Sequence, residues 1–193
     1  FQVSAKKKQV RVIDVVPGQI VTRQAIHAAT IIDGWAVADP SRDLLKIAVV
    51  ERHRGSGRMG IGFVKGVGLQ RGAIASSVAH DAHNIIVVGA DDQDMAAAVR
   101  RVAEMQGGLV AMCHQDVLAD LALPIAGLMS PEPVQWIQQR LDALIRAAKR
   151  LGCPLPDPFM TLSFLALPVI PDLKITDLGL VDVNRFEPVD LFC

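Results

Sequence analysis

Apolar residues along this chain cluster in short runs bounded by glycine, proline or polar groups, and these runs predict strands. VRVIDVVPGQIVT (10–22) is β-branched and broken by Pro17-Gly18, which predicts a hairpin. A further strand is expected through LLKIAVVERH (44–53), before the glycine-dense GSGRMGIGFVKGVGLQRG (55–72). AIASSVA (73–79) and IIVVG (85–89) are strand candidates on either side of a polar insert, HDAHN (80–84). LVAMC (109–113) and VLADLALP (117–124) are expected to pair.

Two segments carry helical signals. DDQDMAAAVRRVAEMQGG (91–108) has acidic residues in its first turn, where they favour the positive end of the helix dipole, and Gly107-Gly108 to stop it. In SPEPVQWIQQRLDALIRAAKRLG (130–152), Val134, Ile137, Leu141, Leu144, Ile145, Ala148 and Leu151 recur at helical spacing and form one core-facing stripe. Ser130 is expected to cap this helix, Pro131 to occupy its first position and Gly152 to end it. The tail DPFMTLSFLALPVIPDLKITDLGLVDV (157–183) is apolar and punctuated by prolines. It is expected to form irregular buried segments ending in an exposed LVDV-type strand. No internal repeat is visible. Strands interleaved with two main helices predict an α/β (or α+β) fold with mixed β-sheet layers, preceded by the short hairpin.

Composition narrows the function classes. The chain of 193 residues is 51% hydrophobic and 21% charged, enough for an ordinary folded core. Its net charge of zero and its lack of tyrosine argue against a nucleic-acid surface, and no apolar run approaches a membrane span. Cys113, Cys153 and Cys193 are odd in number and widely spaced, which favours a reduced, cytoplasmic protein over a disulfide or zinc framework. The first residue is Phe1, with no signal-peptide layout, and the chain reads as a portion of something longer.

Several motifs fail. Gly57 to Gly62 supplies the glycines of a phosphate loop, but Phe63 and Val64 stand where lysine and a hydroxyl residue are needed. These glycines are expected to permit tight turns or close backbone approach. The H-x-E and P-C-x-x-C pattern of the zinc base deaminases is absent. His27 and His114 stand alone, and Cys113 reads as a buried thiol.

HDAHN holds more chemistry. Two imidazoles, a carboxylate and an amide can relay a proton, hold a metal or grip a polar ligand. In an extended strand His80 and His83 would face opposite sides; in a turn, the i, i+3 spacing brings them together. Asp81 and Asn84 are also ordinary turn formers, so the residues alone leave a site and a turn tip equally open. Glu51-Arg52-His53-Arg54 closes an apolar strand; it either adds a carboxylate or imidazole to the same face or is a solvated strand end.

Three long strings carry a family resemblance: VRVIDVVPGQIVT, then DLLKIAVVERHRGSGRMGIGFVKGVGLQRGAIASSVAHDAHNIIVVG, then DPFMTLSFLALPVIPDLKITDLGLVDV. Together they resemble the C-terminal part of the bacterial adenine deaminases, of the amidohydrolase superfamily. The resemblance implies hydrolytic deamination of adenine to hypoxanthine and ammonia. It also implies a (β/α)8 barrel holding a divalent metal (Mn, Fe or Zn) that activates water. No H-x-H pair occurs here, so no metal ligand is expected in this chain and the metal is expected in the barrel. On this basis residues 1–30 are the end of the small β-domain that follows the barrel, and residues 31–193 are the C-terminal domain. The implied partners are adenine, the barrel and further copies in a homo-oligomer, with neither nucleic acid nor membrane; the isolated chain is expected to be inactive.

Within that frame His80, Asp81 and His83 are the catalytic candidates. Either imidazole can hydrogen-bond the purine or shuttle a proton, and Asp81 can orient an imidazole. Asn84, Glu51 and His53 are the substrate-binding candidates. Two other readings compete: a non-catalytic domain that packs on the barrel or builds an oligomer, and an independent metal- or small-ligand-binding domain using His80, Asp81 and His83.

Overall fold

A computed structural model describes residues Phe1–Cys193. In chain order it contains β1 (Val3–Ser4), β2 (Gln9–Val15), β3 (Thr22–Ala28), β4 (Thr30–Ile32), β5 (Trp35–Val37), β6 (Leu45–Val50), β7 (Met59–Lys65), β8 (Ala73–Ser76) and β9 (Ile85–Gly89). Then follow α1 (Asp92–Glu104), β10 (Gly108–Cys113), β11 (Asp116–Ala122), α2 (Val134–Arg150), α3 (Pro158–Leu165), β12 (Leu173–Thr176), β13 (Gly179–Asp182) and β14 (Glu187–Val189).

The centre is an eight-stranded sheet in the order β11-β10-β8-β9-β6-β7-β2-β3. Its neighbours pair antiparallel except β2 with β7, which run parallel from Val12 opposite Phe63 to Asp14 opposite Lys65. The sheet is mixed, as the sequence predicts. A hairpin forms there, but its second strand lies later than expected, β2 pairing with β3 from Val15 opposite Thr22 to Gln9 opposite Ala28. The two strands form one edge of this sheet, so hydrogen bonding is continuous between the first 30 residues and the rest.

Strands β6, β8, β9 and β10 are buried almost throughout because both faces of the sheet are covered. Side-chain alternation divides them between two cores. Leu45, Ile47 and Val49 of β6, with Ile86 and Val88 of β9, face α2, α3 and β12. Ala48, Ala73, Ala75, Ile85 and Val87 face α1, which packs Met95, Ala98 and Val102 against them. The alanines let α1 lie close to the sheet. Lys46 also points to this side, where its ammonium lies 2.8 Å from both carboxylate oxygens of Asp92 in the first turn of α1.

Three details depart from expectation. Ser130 does not cap α2; the helix starts at Val134 behind Pro133, which offers no side-chain cap. The residue before a proline is disfavoured in helical conformation, so Glu132 holds the helix off until Pro133 has passed. The tail is more regular than its prolines suggest. Asp157 accepts a hydrogen bond from the Met160 N–H, Pro158 occupies the first position, and α3 follows with little amphipathic contrast because most of its residues are buried. The helices therefore number three, and β12, β13 and β14 form a small antiparallel sheet beyond α3.

The middle of the glycine-dense segment is strand β7. A Cβ on Gly60 would run into the backbone of Thr176 and Gly179, and one on Gly62 would press on Leu180. These glycines let the β12–β13 hairpin lie directly on the sheet, which is the close backbone approach expected of them. All three cysteines are free. No helix is long and apolar enough to cross a membrane.

Candidate functional site

HDAHN lies in the connection between β8 and β9, whose register runs from Ala73 opposite Gly89 to Ser76 opposite Ile86. The connection is anchored at its start. Ser77 Oγ donates to the Gly127 carbonyl (2.6 Å) and accepts from the Gly108 N–H (2.8 Å), and Ala79 is buried. The His80 N–H donates to the Ser163 carbonyl of α3 (3.1 Å), and the His83 N–H turns back to the Ala79 carbonyl (2.7 Å). His83 adopts a left-handed conformation, φ 50°, which closes the turn.

The turn brings the two imidazoles together, with ring centroids 5.5 Å apart. Their surroundings differ. His83 Nδ1 accepts from the Ala79 N–H (3.3 Å), so that nitrogen keeps its lone pair. Burial, followed by the charges of His80, Arg52 and His53 and only partly offset by Asp81, holds the His83 pKa below its ordinary value of 6.5. It is a neutral, structural imidazole at pH 7. The His80 ring lies 5.1 Å from the Phe164 ring and makes no hydrogen bond to the protein. Asp81 is exposed and bonds to neither imidazole.

Arg52 holds the loop from below. Its Nε donates to the His83 carbonyl (2.6 Å), its Nη2 to the Ala126 carbonyl (2.7 Å) and its backbone N–H to Asn84 Oδ1 (3.3 Å). His53 Nε2 lies 2.7 Å from the Ala82 carbonyl, which can only accept, so Nε2 carries the proton. Glu51 points elsewhere. Its carboxylate accepts from the N–H groups of His53, Arg54 and Ser56 and from Ser56 Oγ, and these bonds hold its pKa down to about 2. Glu51 therefore folds its own loop, and His53 braces the neighbouring one.

A cavity of about 230 Å3 opens beside HDAHN. His80, Asp81 and Asn84 line it together with Val49, Ala166 and Val169, and the β12–β13 turn adds Thr176 and Asp177. His83, Glu51 and His53 stand outside the lining. Asn84 is only 5% exposed, and with Oδ1 engaged by Arg52 its amide nitrogen has no partner in the protein. Convergent polar groups in a mainly apolar cleft are the usual make-up of a small-molecule site. No group of three or more His, Cys, Asp or Glu side chains converges as a metal site would require, so these residues do not fit the divalent metal that the resemblance implies.

The sequence matches the family described as adenine deaminase C-terminal domain over residues 19–187. This chain belongs to that family. The adenine deaminase of Desulfatibacillum aliphaticivorans is 56% identical over 192 residues, which cover 100% of this chain and 34% of that protein. The adenine deaminase of Archaeoglobus fulgidus is 53% identical over 189 residues, 98% of this chain and 33% of its own length. That of Cereibacter sphaeroides is 50% identical over 187 residues, again 33% of its length. The domain thus spans about a third of the relatives it matches.

Two contributors escaped the sequence reading. Arg52 was visible only as one charge in a polar cluster, and its role depends on the fold. Asp177 lay inside a tail read as irregular, although LKITDLGLV has alternating apolar residues around a turn and a glycine, the ordinary hairpin signal.

Proposed function

We propose that this domain is the C-terminal portion of an enzyme that hydrolyses adenine to hypoxanthine and ammonia, and that HDAHN forms one wall of the adenine site. The observation that carries this reading is the convergence of His80, Asp81 and Asn84, all without hydrogen-bond partners at their reactive ends, on one cavity. Family membership supports adenine as the substrate. A divalent metal (Mn, Fe or Zn) would be held by the barrel, outside these residues, and would supply activation of the attacking water. In this arrangement His80 hydrogen-bonds the purine or moves a proton to the departing ammonia, with Asp81 beside it as a solvated charge. Asn84 donates to a ring nitrogen, and His83 stays neutral and shapes the turn.

In the full-length enzyme that carries this domain, His80→Ala is expected to lower kcat/KM for adenine by about 10²-fold, the scale of a lost proton-transfer group. His83→Ala is expected to act through loss of loop order instead. Unchanged turnover in His80→Ala with an unchanged fold would leave HDAHN as a turn only.

A second reading has its own observation. Val117, Leu118, Ile125, Met129, Val134 and Trp136, around β11 and the start of α2, are exposed apolar side chains. They support a docking role for this face against the barrel, to which the Ala126–Arg52–His83 contacts would connect the loop. Trp136→Glu in the full-length enzyme is expected to loosen that contact, read as faster amide exchange in α2 with kcat/KM less affected than in His80→Ala.

A further inference from the structure

We infer that Arg52 is the positioning residue of the HDAHN loop, and that it acts through the forked shape of its guanidinium rather than through its charge. This rests on the reading above, in which Asn84 holds adenine, and names the group that sets Asn84 in place.

Arg52 grips two consecutive residues of the loop. Its Nε donates to the His83 carbonyl (2.6 Å), and its own backbone N–H donates to Asn84 Oδ1 (3.3 Å). With Oδ1 turned toward Arg52, the Asn84 amide nitrogen is the end left over for the cavity. On the same edge of the guanidinium, Nη2 donates to the Ala126 carbonyl (2.7 Å). The planar group thus spans from the loop to the turn that the Ile125–Met129 bridge closes. Ser77, at the other end of the HDAHN connection, donates to the Gly127 carbonyl of that turn (2.6 Å). One turn therefore braces both ends of the loop. Gly127 makes room for the guanidinium: a Cβ there would lie 2.5 Å from Nη2 and 2.8 Å from Cζ.

Charge does not explain the residue. Arg52 forms no ion pair, unlike Arg42, Arg58, Arg101, Arg140 and Arg185, and burial lowers its pKa. A partly buried cation without a counter-charge is unfavourable. What it provides is two N–H groups on one rigid plane, each aimed at the carbonyl of a different segment. A lysine cannot reproduce this, because its donors radiate from a single nitrogen on a flexible stem. His80 is held separately, by the bond from its backbone N–H to the Ser163 carbonyl of α3 (3.1 Å). The loop has two independent anchors: Ser163 for the imidazole that moves a proton, and Arg52 for the amide that holds substrate.

Steady-state kinetics of adenine hydrolysis by the full-length enzyme carrying this domain tests the division. Arg52→Lys, which keeps the charge and loses the fork, is expected to raise KM about tenfold, the scale of one hydrogen bond. It should leave kcat within about threefold, because His80 stays anchored. Gly127→Ala, which keeps Arg52 and displaces its guanidinium, should shift KM in the same direction. A loss of folded enzyme does the opposite, lowering kcat at unchanged KM. The inference is overturned if Arg52→Lys keeps the parent KM, which would make the charge sufficient. It is equally overturned if kcat falls in both variants while KM holds, which would make Arg52 a stabilising contact only. Asn84→Ala separates this failure from that of the adenine reading. If Asn84→Ala raises KM and Arg52→Lys does not, the role of Arg52 falls alone; if Asn84→Ala also keeps the parent KM, both fall.

Discussion

Two polar loops meet beside the cavity and use their polar atoms in opposite ways. In the loop after β6, Glu51 gathers three backbone N–H groups and one hydroxyl, and every oxygen of its carboxylate is occupied. In the loop after β8, the His80 ring, the Asp81 carboxylate and the Asn84 amide nitrogen are all left open. By residue type the two look alike, each an acid close to histidine at the end of an apolar strand. The difference lies in closure. A polar cluster whose bonds are all made within the chain stabilises a loop, and one whose bonds end in a cavity is available to a ligand.

That contrast can be broken at its foundation first. Gly60→Ala places a methyl group against the backbone of Thr176 and Gly179, and overpacking of this kind costs about 1–3 kcal/mol or more. It should give the largest drop in unfolding free energy by urea titration, and it should displace Asp177 from the cavity. A variant that keeps its stability would show that the hairpin can lift without consequence.

Next in size is the acid response of the closed loop. The depressed Glu51 pKa contributes stability that is fully present above the ordinary carboxyl value of 4.5 and lost as pH falls toward about 2. The depressed His83 pKa acts at higher pH: its share is present above 6.5 and lost as pH falls through that value toward the lowered one. Melting temperature should therefore decline in two stages on acidification. Glu51→Gln should flatten the lower stage and leave the upper one, and a profile with a single stage would remove one of the two assignments.

The smallest effect is expected at the open loop. His80→Ala, at a ring with no hydrogen bond that packs against the Phe164 and His83 rings, should cost about 0.5–1.5 kcal/mol of stability at most. If it destabilises the chain as much as Gly60→Ala does, the loop is structural after all and the contrast disappears.

Much of the scaffold could be read along the chain. The paired strands around HDAHN, the β10–β11 hairpin and α1 all carry local signals that the fold keeps, because β-branched runs, acidic first turns and glycine stops act within a few residues. The start of α2 went astray for a local reason too, since Pro133 outweighs the capping residue at Ser130. The α3 segment was missed because a helix buried on most sides has no polar stripe to mark it. Of the site, HDAHN was legible as a polar insert, and which of its members are free was not.

The sequence by itself determined the mixed sheet, the two main helices, the family and the place of the HDAHN turn, all of which depend on short-range pattern or on long matching strings. Only the tertiary structure decided that Glu51 is spent on its own loop, that His83 is neutral and held while His80 is free, and that the turn bearing Asp177 borders the cavity. Those outcomes depend on which hydrogen bonds close, within five residues around Glu51 but 31 to 74 residues away for Arg52, and on the small volume of Gly60 under a hairpin more than a hundred residues away. Residue type sets what a side chain can do, and packing sets whether anything is left for it to do.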